Sequence, residues 1–431
     1  MSKVLFTATP FHGHVSPMLA LAADLTRRGH EVLFYTGARF QEKVEATGAR
    51  FVAYAPELDY DDRDLGASFP QRAGLPQLES MAFDLMHVFG DPAPAHDRRI
   101  QELLAEFPAS VVFTEPTSLA VLATPLRAPR GERPLVVTLG IAPPSSESVD
   151  LPPFGPALPP ATNEAMREQY AAMRGGMRQM MAEPQRHLEG VFEQMGVTLP
   201  DFFLNAMDRV PDHRFHLTVP AFEYPRSDAP EGFRFIGALP ADSGTDYELP
   251  DWWDRLSDGR PVVVVTQGTL ANRDLTQLVV PTVEGLAGLD VTVVAATVRA
   301  DGPDVVREAL GGTVPDNVIL ADYVPFERIF PLSSVLVTNA GYGGVQTALR
   351  HGLPLVVGGD TEEKPEVAAR VAWSGTGVDL RTGRPEAAAV RKGVEEVLGG
   401  ASYREKAEEI QAAYQHYDPL VAVAEFVEQH G

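Results

Sequence analysis

The first third of the chain alternates short apolar runs with stretches whose apolar residues recur at helical spacing. Residues 4–9 form a β-prone run that ends in a glycine-containing turn, and Ser16 and Pro17 carry the signature of a helix start. The helix predicted from there repeats its apolar side chains at Leu19, Leu21, Ala22 and Leu25. Further strands are predicted at residues 30–36, 51–54, 111–114 and 135–139. This alternation favours a parallel sheet covered by helices on both faces.

An irregular segment and a methionine-rich helical stretch follow. Residues 143–160 contain seven prolines, which excludes a regular element there. The helical stretch holds six of the eleven methionines, at Met166, Met173, Met177, Met180, Met181 and Met195. Unbranched thioether side chains suit helix packing, and they also suit a pocket for bulky apolar ligands.

The same alternation restarts after a polar, turn-rich linker at residues 239–246. A strand at residues 261–266 leads through a glycine turn to a helical run at 275–286. Further strands are predicted at residues 291–296, 318–321, 335–338 and 355–357, and a helical stretch at 403–429 is broken by Asp418-Pro419. The sequence therefore predicts an α/β fold of two Rossmann-like, doubly wound domains facing a central cleft, with ligands bound beyond the carboxyl ends of the strands.

Composition narrows the kinds of partner that the protein can bind and the kinds of reaction that its side chains can carry out. The 59 acidic residues outnumber the 36 lysines and arginines, and the resulting charge of −23 repels phosphate backbones and anionic lipid, so neither nucleic acid nor a membrane surface is an expected partner. The absence of cysteine excludes thiolate nucleophiles, Cys-ligated zinc and iron–sulfur clusters. No apolar run is long enough for a signal peptide or a membrane span, so we expect an unprocessed cytoplasmic protein.

Two histidines and a glutamate are predicted at the carboxyl edge of the first sheet. His12 and His14 flank Gly13 directly after the first strand, and Glu115 ends the strand at 111–114. A carboxylate bonded to one imidazole nitrogen fixes the tautomer and raises basicity at the other, as a general base for a hydroxyl requires. The alternatives are that the histidines are ordinary loop residues and that Glu115 only complements a helix dipole.

A glycine turn follows the predicted strand at 335–338. Asn339, Gly341, Gly343 and Gly344 lie between that strand and a helix, where backbone N–H groups can approach an anion, although a purely steric tight turn fits the pattern as well. Asp59 and Asp61 match the D-x-D spacing of metal-dependent sugar transferases, but three residues in an acidic loop match by chance often. We therefore interpret them as solvated surface and predict no metal site.

Taken together, these motifs resemble those of the nucleotide-sugar-dependent glycosyltransferases of the GT-B fold, of the bacterial macrolide and natural-product type. The similarity runs nearly end to end. The matching segments are Gly13-His14-Val15-Ser16-Pro17, Phe235-Ile236-Gly237, Gly268-Thr269, Tyr323-Val324-Pro325, the turn at 341–344 and Gly352-Leu353-Pro354. The resemblance implies an acceptor-binding domain at 1–222, a linker and nucleotide-sugar domain at 223–405, and helices at 406–431 that cross back to the first domain.

The resemblance also implies roles for individual residues. His14 would deprotonate the acceptor, and Glu115, in place of the usual Asp, would hold its imidazole; His12 falls outside the motif. Tyr323 would stack on the nucleobase, and the Val324 backbone would bond the base edge. The expected contacts of the diphosphate and the sugar are Gly13, Thr269, Gly341, Gly343, Gly344 and the pair Glu363-Lys364.

Several positions depart from the family pattern. Asn339 stands where the family has His, and Gly343-Gly344 where it has Gly-Thr or Asn-Ser. The glutamate that grips the ribose falls on Thr347, so Gln346 or another group must replace it. Lys364 replaces an amide and could offset the lost positive charge.

The expected activity is inverting transfer of a hexose from a UDP- or dTDP-sugar to a hydroxyl of a bulky apolar natural product, without metal or other cofactor. We expect the protein to be a monomer or a homodimer and not to insert stably into a membrane. One alternative is a non-catalytic auxiliary or ligand-sensing protein of the same fold, motivated by the altered phosphate turn. Another is a nucleotide-sugar epimerase or an NAD-dependent dehydrogenase, although neither opening strand is followed by G-x-G-x-x-G.

Overall fold

The computed structural model describes residues 1–240, 247–268 and 272–431. Its first sheet contains β1 (Lys3–Thr7), β2 (Glu31–Thr36), β3 (Arg50–Ala53), β4 (Val111–Thr114), β5 (Leu135–Gly140), β6 (His213–His216) and β7 (Phe233–Phe235). The helices between them are α1 (His12–Arg27), α2 (Gln41–Glu45), α3 (Leu65–Ser68), α4 (Gln77–Phe83), α5 (Ala93–Glu106), α6 (Ala123–Arg127), α7 (Glu164–Met180), α8 (Ala182–Gln194) and α9 (Phe203–Arg209).

The second half repeats this arrangement. Its strands are β8 (Val262–Thr266), β9 (Thr292–Ala296), β10 (Val318–Ala321), β11 (Val335–Thr338), β12 (Leu355–Val357) and β13 (Gly377–Asp379). Its helices are α10 (Val279–Leu286), α11 (Gly302–Ala309), α12 (Phe326–Ile329), α13 (Tyr342–Arg350), α14 (Lys364–Trp373), α15 (Ala387–Gly399) and α16 (Ala401–Tyr414), and α17 (Pro419–His430) ends the chain.

Both sheets are parallel and doubly wound. The first has the order β3-β2-β1-β4-β5-β6-β7 and the second the order β10-β9-β8-β11-β12-β13. In the first, Val4 pairs with Val32 and Val111, and in the second, Leu336 pairs with Val264 and Leu355. Apolar strands such as β4 and β8 are buried along their whole length because helices cover both faces. The predicted fold class is confirmed.

The start of α1 differs from the prediction. The helix begins at His12 and takes Pro17 into its interior, whereas Ser16 and Pro17 were expected to open it. The reason is a cap supplied from a distant loop: the buried carboxylate of Asp62 accepts a hydrogen bond from the His12 backbone N–H at 2.7 Å. A helix start held by a residue fifty positions away leaves no local signature.

The boundaries between domains also need correction. The predicted first domain ends at residue 222, but β7 pairs with β6 and belongs to the first sheet. Within the predicted returning segment 406–431, α16 packs into the core of the second domain, and only α17, whose N-terminus is capped by Asp418, packs against α1. The predicted break at Asp418-Pro419 is therefore the point where the chain crosses back. Residues 241–246, most of the predicted linker, lie outside the described residues.

The irregular segment matches the prediction, and the methionines differ in their surroundings. Residues 143–160 form neither helix nor strand. Met181 and Met195 are buried in the core of the first domain, which favours the packing interpretation for these two, whereas Met180 is exposed. No helix within the described residues has the length and apolarity needed to cross a bilayer.

Candidate active site

Glu115 is a fully buried carboxylate at the carboxyl end of β4. Its Oε1 accepts hydrogen bonds from the backbone N–H and the hydroxyl of Thr9, at 3.1 and 3.0 Å. Its Oε2 accepts from the backbone N–H and the hydroxyl of Thr117, at 2.8 and 2.7 Å. Burial acts to raise the pKa of Glu115, but His14 and these donors outweigh it and hold the pKa below its ordinary value. The side chain is therefore an ionised acceptor.

His14 contacts this carboxylate directly. Its Nδ1 lies 2.9 Å from Glu115 Oε2, and its side chain is 24% exposed against 0% for Glu115. Since an ionised carboxylate only accepts, Nδ1 carries the proton of this bond and Nε2 is left as the basic nitrogen of the neutral ring. The predicted pairing of His14 with Glu115 is present in the structure.

The charges around His14 set its affinity for a proton. Burial of the ring disfavours its charged form, but the nearby carboxylates, Glu115 first among them, together outweigh burial and raise the pKa of His14 above its ordinary value. Glu363 and Glu362, from the second domain, add to this increase. Carboxylates of both domains therefore act electrostatically on the imidazole.

Thr9 and Thr117 are the members of this site that sequence reasoning missed. The Thr9 hydroxyl lies 3.0 Å and the Thr117 hydroxyl 3.2 Å from His14 Nδ1, and the two hydroxyls lie 2.9 Å apart. Thr9 is the last residue of a predicted strand and Thr117 lies three residues after another, which was the one signal available. They hold Glu115 and the imidazole ring in one orientation.

His12 and the D-x-D aspartates occupy other surroundings. His12 contacts the Ser16 hydroxyl, and burial, with Lys43 and Arg39, lowers its pKa to about 4. Asp59 accepts from the backbone of the 37–40 turn, and Asp61 pairs with Arg39 and Arg63. The carboxylates thus serve local hydrogen bonds and ion pairs.

An apolar recess opens beside His14. It is lined by Tyr54, Tyr60, Phe89 and His96, among others, and by the two threonines Thr9 and Thr117. Because both threonines contact His14, the recess adjoins the imidazole. Burial lowers the pKa of His96 to about 4, so this wall of the recess is uncharged at neutral pH.

The predicted glycine turn joins β11 to α13. Tyr342, Gly343 and Gly344 form the first helical turn, where no carbonyl of the helix can accept from their backbone N–H groups. A Cβ added to Gly343 or Gly344 would meet nothing within 4 Å, so this helix end is open to an approaching anion. Thr269, the other predicted diphosphate contact, lies outside the described residues.

Three polar residues near this turn are already engaged. The Asn339 amide donates to the Gln267 carbonyl at 2.7 Å and ties β11 to the end of β8. Gln346 is buried, and its side-chain carbonyl accepts from the hydroxyls of Thr218, at 2.7 Å, and Tyr414. Thr347 donates to the Gly343 carbonyl. The bonded groups are therefore the Asn339 amide nitrogen and the Gln346 carbonyl, whereas the buried Gln346 amide nitrogen has no hydrogen-bond partner among the described residues.

The predicted nucleobase and sugar contacts lie on neighbouring loops. Tyr323 is 41% exposed after β10, with Tyr247 against its ring, whereas Val324 is buried. Glu363 precedes α14, and burial together with Glu362 raises its pKa. The Lys364 ammonium is drawn toward Thr361 and Glu362.

A buried ion-pair network joins the two domains behind the cleft. Arg370, on α14, pairs with Glu223, which follows β6, and with Glu366, one helical turn away. Glu366 Oε1 also accepts from two backbone N–H groups of the proline-rich segment, at 2.8 and 3.0 Å. Burial opposes the Glu223 charge, but Arg370 and His216 together outweigh burial and lower the pKa of Glu223 to about 2.

Comparison with known proteins places this geometry in a family. Residues 281–424 match the family model "Erythromycin biosynthesis protein CIII-like, C-terminal domain". UDP-glycosyltransferase 2 of Phaeomoniella chlamydospora is 36% identical over 99% of this chain and 95% of its own length. The 4'-demethylrebeccamycin synthase of Lentzea aerocolonigenes is 37% identical over 99% of both chains.

Solved structures support the same assignment at the level of the fold. The crystal structure of the glycosyltransferase of kitacinnamycin superposes with a TM-score of 0.74 at 21% identity, covering 100% of this chain and 98% of that one. Sequence identity over the full length and a shared two-domain architecture lead to one conclusion: the chain belongs to the nucleotide-sugar-dependent glycosyltransferases of the GT-B fold.

Proposed function

We propose that the protein transfers a hexose from a UDP- or dTDP-sugar to a hydroxyl of a bulky apolar natural product, with inversion at the anomeric carbon. The observation that carries the proposal is the buried Glu115 carboxylate, which is bonded to His14 Nδ1 and leaves Nε2 as the basic nitrogen. The apolar recess lined by Thr9 and Thr117, which both contact the same imidazole, supports an apolar acceptor. The names of the relatives support a nucleotide sugar as donor and a natural product as acceptor.

The proposed reaction is a single displacement. The acceptor oxygen bonds to the anomeric carbon while its proton passes to His14 Nε2, and the bond from that carbon to the diphosphate oxygen breaks. Glu115 stabilises the imidazolium that results. The backbone N–H groups at the start of α13 would hold the departing diphosphate, whose charge grows as the bond breaks.

Direct assay with a panel of donors tests the function. The protein is incubated with UDP- and dTDP-hexoses and with planar and macrocyclic apolar alcohols and phenols, and products are identified by mass spectrometry and their anomeric configuration by NMR. We expect glycosides of inverted configuration together with free nucleoside diphosphate. Nucleotide binding without turnover on any acceptor would instead support the auxiliary protein, and retained configuration would exclude the single displacement.

Replacing Glu115 with glutamine should move the pH dependence of the reaction. The proposed reaction needs the neutral form of His14, so kcat/KM should fall as the pH drops through the pKa of His14. This pKa is raised above its ordinary value of about 6.5. Glu115→Gln removes the main stabilisation of the imidazolium, so this acid limb should shift to lower pH while kcat at pH 8 decreases. Glu362→Gln is the matched control, because Glu362 acts on His14 only through a long-range electrostatic interaction. The acid limb of the Glu362→Gln variant should therefore shift less. An unmoved acid limb in Glu115→Gln would contradict the assignment.

Replacing Tyr323 with alanine should weaken nucleotide binding. Loss of one base–aromatic stack lowers affinity by about 1–3 kcal/mol, which calorimetry with UDP and dTDP would measure. Trp373→Ala is the control, because Trp373 is equally exposed, at 41%, but packs against Tyr224. Equal affinities of the Tyr323→Ala variant and the wild type would place the nucleobase elsewhere.

A further inference from the structure

Two histidines and an aspartate meet where one wall of the recess packs against α8. Residues 84–90 form a π-helical segment between α4 and α5, and Asp91 follows it directly. His87 comes from this segment and His187 from α8. Along the chain only His87 and Asp91 are near one another, and His187 lies 96 residues beyond Asp91, so sequence spacing does not reveal the group.

The three side chains converge on the Asp91 carboxylate. His87 Nδ1 lies 2.7 Å from Asp91 Oδ2, and His187 Nε2 lies 2.7 Å from Asp91 Oδ1. One potential ligand atom from each side chain lies within 4.8 Å of the other two. The two imidazole rings are 5.4 Å apart and steeply inclined to one another. Two imidazole nitrogens and a carboxylate oxygen thus surround one point.

Packing holds these groups in place. A Cβ on Gly90 would lie 2.9 Å from Leu188 Cδ2 and 2.9 Å from the Leu85 carbonyl, so glycine permits the close approach that brings α8 within reach of Asp91. Leu188 itself is completely buried. The His87 ring packs on Phe83 with their centroids 4.7 Å apart. The ligand set is therefore supported by the fold on both sides.

We propose that His87, Asp91 and His187 bind a divalent transition-metal ion, with Zn²⁺ the best match to two imidazoles and one carboxylate. The two ring nitrogens that now face Asp91 would bind the ion as neutral imidazoles, their remaining protons on the opposite nitrogens. Water would complete the coordination, since side chains supply three ligands. The chain's net charge of −23 also favours a cation.

The ion would act as a clamp on the recess. Val88, Phe89 and Pro92 line the recess and are interleaved with His87 and Asp91 in the sequence. Coordination by His187 would join this wall to α8 and restrict its motion. The site is distinct from His14 and Glu115, so the proposal is independent of the proposed function and of any role for a metal in the transfer step.

Calorimetry with untagged protein, freed of metal by EDTA and dialysed, tests the site. Titration with zinc chloride should show one site of micromolar or tighter dissociation constant. His187→Ala and Asp91→Ala should each weaken it by at least about tenfold. His416→Ala, which removes an exposed histidine outside the group, should bind as the wild type does. Absence of saturable binding, or affinity unchanged in both ligand variants, would overturn the proposal.

Hydrogen exchange on the wild-type protein gives a second measurement that needs no variant. Addition of one equivalent of Zn²⁺ should slow amide exchange in residues 84–92 and in α8 and leave other segments unchanged. Protection confined to any other part of the chain would place the ion elsewhere and refute the site.

The calorimetric comparison of variants needs a control for folding. Circular dichroism and thermal unfolding in EDTA establish that the variants are folded before their affinities are compared.

Discussion

Replacing His14 with alanine is expected to lower kcat by about 10²- to 10⁴-fold, the range for loss of a general base, with little change in donor affinity. The acceptor hydroxyl is a poor nucleophile until its proton is removed, and His14, which the buried Glu115 carboxylate orients, is the proposed base. Steady-state kinetics with an aliphatic alcohol acceptor, together with calorimetry for the donor, measure the two quantities.

His12→Ala is the matched control for this experiment. Its imidazole lies in the same helical turn, but burial and two nearby cations lower its pKa to about 4, so it is a weak base, and kcat should change far less. A phenol acceptor, partly ionised without help, should recover part of the rate lost in His14→Ala. Wild-type turnover of an alcohol by His14→Ala would remove the base assignment.

Replacing Arg370 with alanine should destabilise the protein by about 3–5 kcal/mol, because breaking a buried ion pair leaves uncompensated charge. The side chain is 1% exposed and lies between the carboxylates of Glu223 and Glu366. Its removal leaves both buried without the cation that is bonded to them and loosens the contact between the domains. Urea unfolding followed by circular dichroism and tryptophan fluorescence measures the loss.

The pH dependence of this loss has a definite sign. The pKa of Glu223 is lowered to about 2, so its contribution to stability is present above the unfolded value near 4.3 and declines as the pH falls toward 2. In Arg370→Ala the carboxyl can take up a proton as the pH falls, so the deficit should be smaller at pH 4 than at pH 7. Arg391→Ala, at an exposed helical pair with Glu395, should cost at most about 1 kcal/mol. Equal losses in the two variants would contradict the role of the network.

The sequence predicted the features that rest on local pattern. Buried parallel strands are continuous apolar runs, so the prediction matched β4, β10, β11 and β12 at both ends. The strands β6, β7 and β13 were missed because they contain polar or charged residues and form no continuous apolar run, whereas β12, although no longer than these, is entirely apolar and buried. The capping of α1 by Asp62 is a tertiary contact, which no local signal carries.

In the candidate site, too, some features could be predicted from local sequence and others only from the fold. His14 and Glu115 could be paired from sequence because they follow neighbouring parallel strands, whose carboxyl edges coincide. Gln346 could not be placed: only the fold shows that Thr218 and Tyr414, distant in sequence, occupy its carbonyl. The pKa of His14 likewise depends on Glu362 and Glu363, which act on it electrostatically from the other domain.

The crossing of the chain at Asp418 constrains how the two halves can be recombined. The final helix, α17, shares a buried cluster with α1, although the two helices lie at opposite ends of the sequence. Its members of this cluster include Val423, Phe426 and Val427. A hybrid enzyme that takes its first domain from one parent and its second domain from another therefore needs two junctions, one between β7 and β8 and one at Asp418. With a single junction between β7 and β8, α1 would receive a foreign helix against its apolar face, and the first domain would be assembled from mismatched parts.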